Sequence, residues 1–554
     1  MSKQTGATLL VDCLIKHKVK YIFGIPGAKV DAVFNALKNK ESDIKIIVCR
    51  HEQNAAFMAA MHGRLTGQPG VVVVTSGPGV TNLTTGLLTA TSEGDPVIAI
   101  GANVPRGMRL KQTHQGLDNA ALLKNVTKSS VEVLVPDSIP EALEEAFRIS
   151  MEGRGGAAFI SVPQDVLGEE TKVQANDPVP PPVLGVSPED KMKEAAEMIN
   201  NAKSPVMLLG MQSSKPENTK AVRELLEKFR IPTVGTYQAA GVISKDLVDT
   251  YAGRVGLFKN QPGDIALDHA DVVITIGYDA IEYDPETWNT CNSCKKIIHI
   301  DSVPAEIHTT YLPTMEMIGD VAGNLEGLKK YLKCRKELLN EYQIDKLRKE
   351  FLDKIDSGKN YKGDLVHPLR FIHDLNQVID EKTTVVSDIG SHYMWLARYL
   401  LCHEPRHLLF SNGQQTLGVA LPWAIAAKMV RPDEKIISIS GDGGFLFSSM
   451  GLETAVREKK HFVHCVWRDG SYDMVKEQEE MKYKQASGVQ FGKVDLVKYA
   501  ESFGAVGFEV KNSEDLLPTL KKALTYDVPV LIDVPIDYSD NPELFAAAND
   551  DIGH

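Results

Sequence analysis

Short apolar runs that recur between helix-like segments constrain this chain more than any other feature. GVVVVTS (70–76), DPVIAIG (95–101), SPVMLLG (204–210), DVVITIG (271–277) and KIISIS (435–440) are apolar on successive rather than alternate positions. A strand that is apolar on both faces has to be covered on both faces. When helices fill the gaps between such strands, the arrangement that achieves this is a parallel sheet with helices on either side.

At 554 residues the chain is too long for one core, and about 100–200 residues per domain suggests roughly three. The strand–helix rhythm divides accordingly. A first block, 1–175, holds KYIFGIPG, IKIIV, GVVVVTS and DPVIAIG. The stretch NDPVPPPVLGVSPED follows, with prolines at 178, 180, 181 and 182, and reads as a semi-rigid linker because proline supports neither a helix interior nor a central strand. A second block, 186–338, repeats the rhythm through SPVMLLG, IPTVGT, DVVITIG and KKIIHID. A charged, helix-prone stretch at 329–364 reads as a solvated connector. A third block, 362–554, gives TTVVSDIG, KIISISGDGG, HFVHCVW and PVLIDVPID, with helical segments between. The expected fold is α/β, with three domains, each an open, mostly parallel sheet with helices on both faces. The first and third blocks could be distant structural relatives.

Composition removes several function classes. A formal charge of −12 opposes a nucleic-acid footprint, which needs clustered Lys and Arg. No apolar run reaches the ~18 residues that span a bilayer; the longest candidate, 417–430, contains Pro422 and Lys428. The first twenty residues lack a sustained apolar core, so no secretory signal is read. Seven scattered cysteines suit a reducing cytoplasm. Cys291 and Cys294 have CxxC spacing but no partner set at zinc-site spacing, and are read as structural or incidental.

Three elements carry chemistry. Gly441-Asp442-Gly443-Gly444 follows the run IISIS directly. Glycines at a strand end let backbone approach a phosphate, the following helix offers free N–H groups to an anion, and Asp442 adds a hard oxygen ligand. Asp469, 27 positions on from Asp442, follows the strand HFVHCVW. Two carboxylates at neighbouring strand ends can share one Mg²⁺. Glu52, in CRHEQ, opens an Ala-rich helix; by itself it reads as a first-turn carboxylate favoured by the helix dipole. An Asp-Gly turn is an equally plain reading of Asp469 alone.

Taken together, GDG, an acidic residue 27 positions later and RHE far upstream resemble the thiamine diphosphate enzymes. The likeness runs over nearly the whole chain. FGIPG (23–27), RHEQNAAFMA (50–59), TSGPGVTN (75–82), QTLGVALPWAIAA (415–427) and GDGGF (441–445) resemble the acetolactate synthase branch. YQAAGVIS (237–244), GRVGLFKNQPGD (253–264), GYDAIEYDPETWN (277–289) and YDMVKEQEEMKY (472–483) are similar to its catabolic, FAD-independent subfamily.

The resemblance implies roles residue by residue. Glu52 would bond N1′ of the cofactor's aminopyrimidine and help generate the C2 nucleophile; a carboxyl kept out of water suits that proton-holding role. Asp442, Asp469 and the backbone carbonyl of Ser471 would ligate Mg²⁺. Gly443 and Gly444 would leave room for the diphosphate, met from the adjoining strand end by Gly390 and Ser391. Leu417 would be the bulky residue beneath the bent cofactor, where relatives often carry Met. Gln415, Tyr472 and Met474 would complete the cofactor contacts. Gln115 and Gln478 would lie at the acceptor site, and Gln478 replaces a Trp that in the biosynthetic relatives favours 2-oxobutyrate. Arg468 stands where many relatives have Asn, with no role assigned.

The implied reaction decarboxylates one pyruvate and joins the two-carbon unit to a second, giving 2-acetolactate and CO2 for acetoin or butanediol formation or for branched-chain amino acids. A homodimer would be the minimal active unit, because the Glu52 half and the metal half come from different subunits in this family; a homotetramer is common. FAD is not expected. The segment 277–283 lacks the arginines of the flavin-binding relatives and is acidic, which is poor for a pyrophosphate. The rivals are another thiamine diphosphate-dependent decarboxylase or oxidase, and a catalytically silent subunit. A nucleotide-binding protein is a further alternative, but no G-x-x-x-x-G-K motif is present.

Overall fold

The computed structural model describes residues 3–290, 295–333 and 344–545. Cys291, Cys294 and part of the connector lie outside them. Two strands of two residues, β1 (Gln4–Thr5) and β8 (Glu170–Thr171), pair antiparallel and tie the start of the first domain to its end.

The first domain's sheet contains β2 (Tyr21–Gly24), β3 (Lys45–Val48), β4 (Gly70–Val74), β5 (Val97–Asn103), β6 (Ser129–Glu132) and β7 (Ala157–Pro163), in the order β3-β2-β4-β5-β7-β6. The middle sheet contains β9 (Pro205–Leu209), β10 (Thr233–Thr236), β11 (Tyr251–Val255), β12 (Val272–Ile276), β13 (Lys296–Asp301) and β14 (Met315–Ile318), in the order β11-β10-β9-β12-β13-β14. The last contains β15 (Thr383–Ser387), β16 (Leu408–Leu409), β17 (Lys435–Gly441), β18 (Val463–Arg468), β19 (Val506–Glu509) and β20 (Val530–Pro535), in the order β16-β15-β17-β18-β20-β19. Pairing within all three is parallel. The three-domain α/β expectation holds.

The first and third sheets share one order, second-first-third-fourth-sixth-fifth, which makes the two domains topological relatives. The middle sheet differs, with the third-second-first-fourth-fifth-sixth order of doubly wound dinucleotide-binding sheets. Every strand of β4, β5, β7, β9 and β12 is buried end to end, as continuous apolar runs require.

The Ala-rich helix Glu52–Thr66 packs against the helix Ala420–Val430, and one apolar core runs through both domains. Small side chains allow this close approach: Ala55, Ala56, Ala59 and Ala60 meet Ala424, Ala426 and Ala427 in a core that also holds Trp423. At its edge Arg64 is buried and fully engaged. It bonds Asp95 through Nε and Nη2 at 2.8 Å, Glu93 at 3.1 Å and the Phe410 carbonyl at 2.8 Å, with its guanidinium 4.6 Å from the Trp423 ring. Glu93 in turn accepts from Gln238 of the middle domain and from the Gly413 amide of the third, so one carboxylate joins all three domains. Burial pushes the Glu93 pKa to about 7 despite the arginine.

The linker at 172–188 carries no helix or strand. The connector helix Ile344–Ser357 is largely exposed but buries Ile344 and Ile355, and Phe351 stacks on Tyr399 with ring centroids 6.0 Å apart.

Candidate active site

The carboxyl ends of β15, β17 and β18 lie side by side, and each delivers a residue singled out by the sequence. Gly390 and Ser391 follow β15, Asp442 follows β17 and Asp469 follows β18. Chain order reverses between β15 and β17, and open α/β sheets bind ligands at such a reversal.

Gly390 has φ of 145°, in a region L side chains rarely adopt, and it precedes the helix Ser391–Tyr399. A side chain on Gly443 would run into the Tyr472 ring, 2.6 Å from Cε1, so the backbone there is approached closely. Asp442 opens the helix Asp442–Ser448. Its Oδ1 accepts from the Gly443 amide at 3.0 Å and its Oδ2 from the Gly470 amide at 2.8 Å. Burial, reinforced by the neighbouring Asp469 charge, pushes the Asp442 carboxyl to about 6. Burial also raises Asp469, whose Oδ2 accepts from the Ser471 hydroxyl. A cavity of about 330 Å³ opens over Asp442, Asp469 and Gly470.

Two nearby acids escaped the sequence reading. Asp388 is fully buried at the end of β15 and accepts from the amides of Ile389, Gly418 and Ala420 at 2.9–3.1 Å, which fixes the turn that carries Leu417. Burial raises it to about 6. Asp473 accepts from the Ser391 hydroxyl at 2.6 Å and links the β15 turn to the helix Asp473–Tyr483. Leu417 and Met474 are half-buried against the third domain's core. Gln478 is half-buried on the same helix as Met474, and Gln415 has a left-handed backbone with φ of 47°.

In the first domain, Glu52 is the first residue of its helix, and the His51 imidazole accepts the Gln53 amide at 3.1 Å. Glu52 is 9% exposed. Asn82 donates to its Oε2 at 2.9 Å, a partner the TSGPGVTN motif contained but the sequence reading did not assign. The turn at 76–79 brings Gln115 to the same region: Ser76 Oγ lies 3.4 Å from Gln115 Oε1, and Gln115 has φ of 60°. Among the described residues no hydrogen bond joins Glu52 to Asp442 or Asp469.

Arg468 has a structural explanation. Its Nε donates to Asp533 on β20 at 2.7 Å, and Glu509 on β19 lies 3.7 Å from Nη2. It is a cross-strand ion pair.

The residues fit a diphosphate and a divalent cation. The buried Asp442, its carboxyl raised further by the neighbouring Asp469 charge, favours a bound cation beside the more exposed Asp469, and the Gly390 and Gly443 backbone leaves room for phosphate oxygens. No cluster of three or more His, Cys, Asp or Glu side chains is placed for a metal among the described residues. A site here would need the Ser471 carbonyl and ligand oxygens to complete its shell.

Comparison with known proteins decides the family. The description "Thiamine pyrophosphate enzyme, N-terminal TPP binding domain" matches residues 4–122, the central domain of the same enzymes matches 192–328, and their C-terminal TPP binding domain matches 388–534. The chain belongs to the thiamine pyrophosphate enzymes. Among its relatives in that family, the acetolactate synthase of Bacillus subtilis (strain 168) is 52% identical over 98% of this chain and 95% of its own length. The catabolic acetolactate synthase of Raoultella terrigena is 44% identical over 97% and 96%. A probable acetolactate synthase large subunit of Methanococcus aeolicus is 32% identical over 96% and 92%.

Proposed function

We propose that this thiamine pyrophosphate enzyme is an acetolactate synthase that uses pyruvate as both donor and acceptor. The observation that carries the reading is the near full-length likeness to acetolactate synthases. The acids Glu52, Asp442 and Asp469, at a helix start and at strand ends, support it and disfavour a silent subunit.

Bound thiamine diphosphate supplies a carbon nucleophile and an electron sink for the carboxylate that leaves as CO2. The protein's part is positioning and proton handling. Asp442, Asp469 and the Ser471 carbonyl would hold Mg²⁺, and Gly390, Ser391, Gly443 and Gly444 would cradle the diphosphate. Glu52 would exchange a proton with the aminopyrimidine. Asn82 fixes its Oε2, which leaves Oε1 for that exchange, beside the small residue Gly79. Leu417, fixed through the turn Asp388 grips, would support the cofactor from below, with Gln415, Tyr472 and Met474 around it. Gln115 and Gln478 would orient the acceptor's carboxylate or carbonyl. With Gln rather than Trp at 478, pyruvate is the favoured acceptor.

Flavin is not required on this reading. In the middle sheet, chain order reverses between β9 and β12, where doubly wound sheets receive a dinucleotide pyrophosphate. Here the amide of Met211, which follows β9, is already bonded by the buried Glu282 carboxylate, and Arg154 of the first domain pairs with Asp279 beside it. An internal oxygen acceptor takes the place that an external phosphate oxygen would fill.

A homodimer, or a tetramer built from it, would bring the Glu52 half against the metal half. Exposed Leu110, Leu117, Leu446, Phe447 and Val475 offer apolar surface for such an interface. Cys13, Cys49, Cys402 and Cys465 are free, which suits a reducing cytoplasm. No helix among the described residues is long and apolar enough to cross a membrane.

The test is pyruvate turnover by the purified protein with thiamine diphosphate and Mg²⁺, with and without FAD. Acetolactate formed equally in both arms is expected. Acetaldehyde without acetolactate would remove the acceptor assignment of Gln115 and Gln478, and an absolute flavin requirement would remove the Glu282 argument.

A further inference from the structure

A cavity of about 580 Å³ lies away from the cofactor site, between the outer strand β11 of the middle domain and the segment 398–403 of the third. The connector helix Ile344–Ser357 forms its roof through Leu347, Phe351 and Leu352, and Val248 and Tyr251 line the facing wall. Its size is that of small-molecule sites.

The charges in it are one-sided. Among the described residues, Lys245, Arg254, Arg348, Lys354 and Arg398 line it, against the single acid Glu350. Lys245 and Lys354 pair outward with Glu381 and Glu543, each at 3.0 Å. The two buried arginines, Arg254 and Arg398, are 9% and 8% exposed and have no ion pair among the described residues. Arg254 donates to the Leu400 carbonyl, and Arg398 to the Leu544 carbonyl at 3.2 Å. The Nε of Arg398 is buried and has no hydrogen-bond partner. His403 records the same field: burial first, then Lys245, Arg254 and Arg348, hold its pKa below the usual value. Burying a guanidinium without a counter-ion is costly, and carbonyl oxygens offset only part of that cost. Elsewhere the fold meets this need directly, as Arg64 shows with Glu93 and Asp95.

We propose that this cavity binds a small organic acid, its carboxylate on the Arg254 and Arg398 guanidinium groups and a short aliphatic body against Val248, Leu347, Phe351 and Leu352. Planar guanidinium forks suit a carboxylate, and the apolar walls distinguish such a ligand from a bare inorganic anion.

The test is calorimetric titration of the full-length enzyme, loaded with thiamine diphosphate and Mg²⁺, with hexanoate, 1-hexanol and inorganic phosphate in parallel. The variants are Arg254→Met, Arg398→Met and Val248→Trp, the last filling the cavity without touching a charge. Saturable hexanoate binding is expected, weakened at least about tenfold in each arginine variant and lost in Val248→Trp, whose kcat and KM for pyruvate stay as in the wild type. Hexanol should not saturate, and phosphate should bind more weakly than hexanoate. Hexanoate binding that survives Val248→Trp would place the ligand elsewhere and overturn the proposal. So would equal binding of hexanol or phosphate, or no saturable hexanoate binding at all. If the arginine variants do not fold, Val248→Trp decides alone.

Discussion

Both carboxylate oxygens of Glu282 lie 2.9 Å from the backbone nitrogen of Met211. The Thr236 hydroxyl donates to the same group at 2.5 Å and the Asp279 amide at 3.2 Å. Even with these donors, burial pushes the Glu282 carboxyl to about 8. Its folded pKa is therefore above the unfolded one. The stabilisation it contributes is fully present below about pH 4.5 and is lost as pH rises through about 8. Glu282→Gln should flatten this dependence. Relative to wild type, the variant should gain stability between about pH 5 and about pH 9 by on the order of 3 kcal/mol. Urea midpoints measured across that range check it, and parallel curves for the two proteins would contradict it.

Glu52→Gln should remove acetolactate formation, by roughly 10²–10⁴-fold for loss of a proton-transfer group. Thiamine diphosphate binding and the unfolding midpoint should stay close to wild type, because Asn82 can still bond the Gln oxygen. Turnover and cofactor fluorescence quenching together test this. Wild-type turnover would remove Glu52 from the mechanism.

The two proposed metal ligands should respond unequally. Asp442 is buried and held by the Gly443 and Gly470 amides, whereas the Asp469 residue reaches solvent. Asp469→Asn keeps an oxygen ligand and should raise the Mg²⁺ requirement by roughly tenfold. Asp442→Ala should abolish measurable Mg²⁺-dependent cofactor binding. Activity titrated against Mg²⁺ at saturating cofactor separates these outcomes.

Arg64→Ala should destabilise the enzyme by about 3–5 kcal/mol, because it strands Glu93 and Asp95 as buried acids without their cation. The same change removes the link to the Phe410 carbonyl, so the first and third domains should loosen together. A lower denaturant midpoint together with faster amide exchange in both helices Glu52–Thr66 and Ala420–Val430 is the expected result. Exchange confined to one domain would show that the network does not couple them.

Most strands legible in the sequence are central ones, although the edge strand β3 was read as IKIIV and the buried central strand β7 was not read. β4, β5, β9, β12 and β17 are buried on both faces, and their apolar runs say so. The edge strands β6, β11, β14, β16 and β19 were not read. β6 and β19 are half-exposed along their length, and β16 has two residues, so none carries a continuous apolar signal. The connector helix is charged and largely exposed, as its sequence suggests; its charges do not show the cavity wall that Phe351 helps close, which is formed by residues far along the chain.

The sequence by itself determined the chemistry that could be present. Glycines at strand ends, acids at 442 and 469 and a carboxylate opening an Ala-rich helix are local features, and local backbone preference and burial pattern are enough to place them. Tertiary structure decided which residues those groups meet. Asn82 on Glu52, Asp388 beneath the Leu417 turn, Asp533 on Arg468 and Glu282 on the Met211 amide are contacts across strands or loops, set by sheet order and crossover path. Sheet order follows from how whole helices pack over whole sheets, an energy summed over many distant residues, and no local run of sequence encodes it.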